Sequence, residues 1–147
     1  MKKAYLLIPI TFILAACNST SENKVQMKYL DLSAKEKVQH VDNYWTLLKR
    51  VEPRYPISAA KDDVSGCVDL IVGIGQDGKV NGYKVRSSFP KGVFENNAAA
   101  ALSKWKWQAT ENNKESVPVL TSVRLDFTTS RNPTDVEYLK NCPKVDS

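Results

Sequence analysis

Three cysteines and one histidine are the residues of this 147-residue chain with the widest chemistry open to them. A thiolate can attack an acyl or alkyl centre, close a disulfide or ligate a metal, and an imidazole can move a proton near neutral pH or hold zinc. Cys17, Cys67 and Cys142 lie too far apart for a C-x-x-C redox or zinc pattern. His40, between Gln39 and Val41, has no cluster of Cys, Asp or Glu at ligand spacing and reads as a surface residue of a helix. Neither G-x-S-x-G, H-E-x-x-H nor a Gly-rich phosphate loop occurs, and Gly73-Ile74-Gly75 lacks the third glycine and following helix of a dinucleotide fingerprint. No metal site, cofactor or catalytic group is therefore expected, and the chain reads as a non-enzyme. Its net charge of +5, from 21 Lys and Arg against 16 Asp and Glu, is spread without a basic block, so nucleic acid is not an expected partner.

Cys17 is different from the other two because of what precedes it. Lys2 and Lys3 are followed by an apolar run over residues 4–16 that ends in Leu14-Ala15-Ala16-Cys17. A bilayer span takes about 20 apolar residues, so this shorter run reads as an export leader over residues 1–16. The tetrapeptide resembles the bacterial lipobox, in which the cysteine thiol receives diacylglycerol and the peptide is cut before it. That implies a palmitate-type lipid anchor on Cys17. Asn18 stands where an inner-membrane retention signal would carry Asp, which points to the outer membrane, facing the periplasm. Residues 17–31 are polar and aperiodic and read as a tether of roughly 20 Å root-mean-square reach, about 40 Å at full extension. They would hold a single domain, residues 32–147, close to its own membrane.

The elements that position everything else begin at Gly66. Val68, Leu70, Val72 and Ile74 alternate with Cys67, Asp69 and Gly73, the period of a half-buried strand. Asp77-Gly78 supplies a hairpin turn. The returning strand, residues 79–87, slips parity near Asn81-Gly82, where a bulge would bring Tyr83 and Val85 back to the inner face. Phe94, Ala98, Ala101, Leu102 and Trp105 form the stripe of an amphipathic helix. A third strand alternates Val119, Thr121, Val123, Leu125 and Phe127 with Leu120, Ser122, Arg124 and Asp126. The order β-β-α-β with a right-handed crossover puts the first strand between the other two and leaves the third at an edge. Upstream, Ser33-x-x-Glu36 has the spacing of a capping box. A helix is predicted from there to about Val51, with Val38, Val41, Trp45 and Leu48 on one stripe, and Pro53 ends it. Residues 57–61 can make one more helical turn.

With Cys17 given to lipid, Cys67 and Cys142 are an even pair in an oxidising compartment. The third strand ends beside the start of the first, and residues 131–141 give slack, so a Cys67–Cys142 disulfide is predicted, worth at most about 4 kcal/mol by loop entropy. The alternative is two separate buried thiols.

Pro53-x-Tyr55-Pro56-x-x-Ala59, Gly66-x-Val68, Asp77-Gly78-x-Val80, Ser88, Pro90, Phe94-Glu95, Ala98 and Trp105-x-Trp107 together resemble the C-terminal domain of the TonB energy-transducer family, over residues 52–128. The resemblance implies an α+β domain with a three-stranded antiparallel sheet (β-β-α-β) and helices on one face, here with an extra N-terminal helix. It also implies a partner: an extended segment of an outer-membrane receptor, added as a strand beside the third strand. The site residues carried over are Glu52, Arg54 and Tyr55, with Leu120, Ser122 and Arg124 along the edge. Tyr55 can equally be a core plug beside Trp105, with the tail from residue 129 covering the edge. A transducer proper has a membrane helix coupled to motor proteins and a Pro-rich spacer. A leader ending at Cys17 replaces both, so binding without energy transduction is expected. The other reading is an accessory lipoprotein that helps assemble an envelope secretion or transport complex.

Overall fold

The computed structural model describes residues 27–129 and 135–143. Strand β3 (Gly66–Ile74) is central, paired antiparallel with β4 (Val80–Phe89) on one side and β6 (Val119–Phe127) on the other. A two-residue strand β1 (Leu30–Asp31) is added in parallel to the outside of β6, so the sheet runs β1-β6-β3-β4. The predicted β-β-α-β core and its strand order are therefore present, and the edge is not bare. Leu30 and Asp31, the end of the expected tether, are part of the sheet.

The hairpin forms where expected, for a local reason. Gly78 has φ +70°, and a Cβ there would lie 2.0 Å from the Trp107 carbonyl oxygen, so glycine is needed twice over. The Asp77 carboxylate accepts from the Lys79 amide at 3.1 Å and pulls that strand into the turn. The bulge at Asn81-Gly82 is present, since Val72 faces Tyr83 while Ile74 faces Val80. A second, at Arg86, separates the Leu70–Val85 and Asp69–Ser87 pairs. Tyr83 lies opposite Val72 and Val85 opposite Leu70, on the inner face as expected, but Tyr83 is not buried there. It is 52% exposed, because β4 is the outermost strand of the sheet and, among the described residues, no element lies beyond it.

Helix α1 (Ile57–Lys61) is the short turn expected after Pro56. Helix α2 (Glu95–Leu102) buries Ala98, Ala101 and Leu102, with Phe94 just before it and Trp105 three residues past its end. Ala59 of α1 joins Ala98 and Leu102 in one core against Val68, Leu70, Val72 and Ile74, the inner face of β3. Phe94 fits there because Gly66 has no side chain: a Cβ would come within 2.5 Å of the ring.

The extra N-terminal helix is not formed. A 3₁₀ helix spans Val38–Asn43, and strand β2 (Trp45–Lys49) follows, antiparallel to β5 (Lys106–Ala109) in a separate two-stranded sheet. The Ser33 hydroxyl does not cap a helix; it donates to the Asp31 carboxylate at 2.7 Å. Trp45 is buried with its indole N–H on the Val117 carbonyl at 2.9 Å, and pairing with β5 satisfies the main chain that a helix would otherwise satisfy internally. Leu48, placed on the helical stripe by its spacing, sits in a register irregularity and is 65% exposed. His40 is exposed on the 3₁₀ helix. The tail holds helix α3 (Val136–Asn141), capped by Asp135, so its described part is neither slack nor a strand along the edge.

Glu95 opens α2 and ties the loop before it. Its carboxylate accepts from the Gly92 amide (2.7 Å), the Phe94 amide (3.1 Å) and the Ser88 hydroxyl. Burial pushes its pKa up, but these hydrogen bonds outweigh that and leave it below its ordinary value near 4.5. A depressed folded pKa stabilises above the unfolded value and is lost as pH falls through the folded one. Glu95→Gln should thus lower stability at pH 7 by about 1–3 kcal/mol in urea titrations. The gap to the unsubstituted protein should close as pH drops below about 4.

Candidate functional site

A strand edge can hold a guest only where its main chain is unpaired and regular. β6 keeps an uninterrupted register with β3, from Gly66 opposite Phe127 to Ile74 opposite Val119. β4, the opposite edge, carries two bulges and Lys84, features that discourage pairing. On the outer side of β6 the Pro118 and Leu120 carbonyls accept from the amides of Leu30 and Leu32, both at 2.9 Å. Strand alternation turns the main-chain groups of Ser122, Arg124 and Asp126 to that same side. Among the described residues, no backbone group pairs with them there.

The side chains of these positions are engaged on the sheet's outer face. Arg86 reaches across from β4, donating to Asp69 on β3 (3.4 Å), to the Ser122 hydroxyl on β6 (3.2 Å) and to the Ser33 carbonyl (2.6 Å). Ser122 in turn donates to Asp69 at 2.9 Å. Arg124 donates to Asp126, to the Cys142 carbonyl at 2.8 Å and to the Pro143 carbonyl. Tyr138 of α3 donates to Asp126 at 3.0 Å. A groove of about 240 Å³ remains open between Lys35, Val38, Asp69, Arg86, Ser122 and Arg124. Asp69, Arg86 and Ser33 escape a reading by spacing, although an Asp and an Arg on the outer faces of adjacent strands are a cross-strand pair that the register reveals.

The other predicted residues separate into two places. Tyr55 is core: its ring meets Phe94 and Phe127 edge-on at 5.6 and 5.9 Å, and its hydroxyl donates to the Val64 carbonyl at 2.7 Å. Burial raises its phenol pKa. Trp105, the neighbour expected for it, instead donates to the Val51 carbonyl at 2.8 Å and lies under the Arg50 guanidinium. Glu52 pairs with Arg50 at 2.6 Å in solvent, and Asn97 donates to the Arg54 carbonyl. Glu52 and Arg54 line a groove of about 460 Å³ with Asn96, Asn97, Ala100 and Lys104, on the α2 side. Leu120, Ser122 and Arg124 lie on the opposite face of the sheet.

Cys67 and Cys142 form the predicted disulfide, with Cα atoms 5.9 Å apart. It pins the end of α3 to the outer face of β3. Cys17 and the leader lie outside the described residues. Among the described residues no His, Cys, Asp and Glu gather at metal-binding distances, and no helix is long and apolar enough to cross a membrane.

The family model for the C-terminal domain of the Gram-negative bacterial TonB protein matches residues 51–129. The TonB protein of Klebsiella pneumoniae is 28% identical over 61 residues, 42% of this chain and 25% of the relative. That of Klebsiella aerogenes is 32% identical over 62 residues, 42% of this chain and 26% of the relative. The match thus spans about a quarter of either curated relative. Among solved structures, the TonB C-terminal domain of Pseudomonas aeruginosa superposes with a TM-score of 0.54 at 22% identity, over 58% of this chain and 87% of that one, a likeness of fold.

Two outcomes follow from these contacts. Tyr55→Phe should cost about 1–2 kcal/mol in chemical denaturation, because the Val64 carbonyl loses its donor while the ring contacts stay. Replacing Cys67 and Cys142 by serine should destabilise by up to about 4 kcal/mol. In hydrogen exchange, the amides of α3 should then lose protection while those of β3 and β6 keep theirs.

Proposed function

Because the chain belongs to the TonB C-terminal family, we propose that it is a protein-binding module that takes an extended segment of an outer-membrane receptor, or of another transport component, as a strand on β6. The observation that carries this reading is the contrast between the two sheet edges: β4 is bulged twice, and β6 runs regular with main chain at Ser122, Arg124 and Asp126 that is unpaired on its outer side among the described residues. Main-chain hydrogen bonds to those residues supply affinity, and alternate side chains of the guest supply choice. Leu120, Ser122 and Arg124 meet the guest along the strand. Tyr55 fixes the Phe127 end, and Glu52 and Arg54 meet flanking residues of the partner through the groove beside α2.

The module acts in the periplasm, held at the outer membrane by a diacylglycerol anchor on Cys17. It binds without transducing energy itself, since the apolar run before Cys17 is read as a cleaved leader and not as a motor-coupled helix. A second reading, an accessory that stabilises an envelope complex through its fixed surfaces, is favoured by the disulfide-held tail and by the partial filling of the edge.

A ¹⁵N-labelled domain titrated with the periplasm-facing N-terminal peptide of a receptor should shift the amides of Ser122, Arg124 and Asp126 first. Shifts absent along the whole of β6 would defeat the strand-addition reading and leave the accessory one. Metabolic labelling with an alkyne palmitate analogue should mark the protein, and Cys17→Ser should abolish the label; a soluble, unlabelled product of the native sequence would remove the anchor.

A further inference from the structure

The beginning of the β6 edge is already taken by the chain itself. β1 is two residues long and runs parallel to β6, in a sheet whose other pairings are antiparallel. Burial does little to hold it, since Leu30 is 37% exposed and Asp31 is exposed as well. The holding is done on either side.

On the upstream side, the Tyr29 ring lies against the outer face of β3 at Gly73, where a Cβ would come within 3.1 Å of it. The Tyr29 hydroxyl donates to the Asn81 carbonyl across an exposed 3.3 Å. On the downstream side the attachment is tighter. The Asp31 carboxylate accepts from the amide and hydroxyl of Ser33 at 2.9 and 2.7 Å, bonds that hold its pKa below the ordinary carboxylate value. Leu32 and Ser33 are buried, and Arg86 grips the Ser33 carbonyl at 2.6 Å. The two ends are therefore unequal, a surface clamp at Tyr29 and a fixed pivot at Ser33.

We propose that residues 29–32 are a displaceable strap, an autoinhibitory strand that fills the first pairing positions of the β6 edge and peels from the Tyr29 side, pivoting at Ser33, before a partner can pair along all of β6. The inference rests on the reading of β6 as the guest edge. With the strap closed, a guest has only Ser122, Arg124 and Asp126; opening it adds the carbonyls of Pro118 and Leu120. A partner that needs the longer track binds with its intrinsic affinity reduced by the fraction of molecules in the open state. Each main-chain bond the strap makes is of the same kind the guest would make, and a guest must also replace the burial of Leu32, so the strap selects for guests long enough to do both.

The test uses the full chain and three proteins: the native sequence, Leu30→Pro, which removes the amide bonded to Pro118, and Tyr29→Ala, which removes the clamp. The probe is a synthetic peptide of the chain's own residues 28–33, followed by NMR at the amides of Val119, Leu120 and Ser122. Both variants should bind it at least tenfold more tightly than the native protein, about 1.4 kcal/mol. Equal affinity in all three overturns the strap. Hydrogen exchange without peptide checks the same claim should Leu30→Pro fold poorly: the Leu30 and Leu32 amides should exchange at least a hundredfold faster than those of β3, by local opening. Exchange at the global unfolding rate would show a fixed strand and overturn the proposal. A receptor peptide that binds all three proteins equally removes the gating while keeping the guest edge. One that binds none removes the guest edge, and the chain's own peptide still decides whether the strap opens.

Discussion

The stack of Phe94 on Phe127, 4.4 Å between ring centres, is the contact on which the rest of the domain depends. It joins the start of α2 to the end of β6, and the ring of Tyr55 closes it from the side. The stack is possible only because Gly66, beneath Phe94, presents no side chain. Aromatic pairs of this kind add about 0.5–1.5 kcal/mol beyond their buried area. Their larger effect is positional: with Phe94 fixed, Glu95 is delivered to the amides of the loop before it, and the helix lies along the sheet with Ala98 and Leu102 inward.

Much of this could be read from residue order because it is local. The alternation in β3, the Asp-Gly turn, the Asn81-Gly82 bulge and the α2 stripe each need only neighbouring residues to specify them. The segment from Val38 to Lys49 misleads for the opposite reason. Its apolar spacing suits a helix, and Val38, Val41 and Trp45 do face the core, yet the partner that makes residues 45–49 a strand is β5, some sixty residues on. Intrinsic preference is weak beside such a pairing. β1 was illegible too, since two residues in a polar stretch carry no period at all.

The candidate site divides along the same line. Ser122 and Arg124 could be placed on the outer face by alternation alone. That Arg86 would span three strands to hold Ser33 could not, because it depends on the bulge that re-aims Arg86 and on a neighbour far away in the chain. The outer face, left to solvent in a simple reading of the sheet, is instead clasped at one end by Tyr29 and at the other by α3 and its disulfide.

The two closures come from opposite ends of the chain, and that sets an order of assembly. The β3–β4 hairpin closes a short loop and can form early, whereas β6 must return over α2, and β1 can dock only on a finished β6. Cys142, 75 residues beyond Cys67, arrives last. Until β1 has docked, the first positions of the most regular edge in the domain are open to every other nascent copy, the condition under which strands join the wrong chain. The same short segment that restricts access to the finished protein therefore shields its unfinished neighbours from one another.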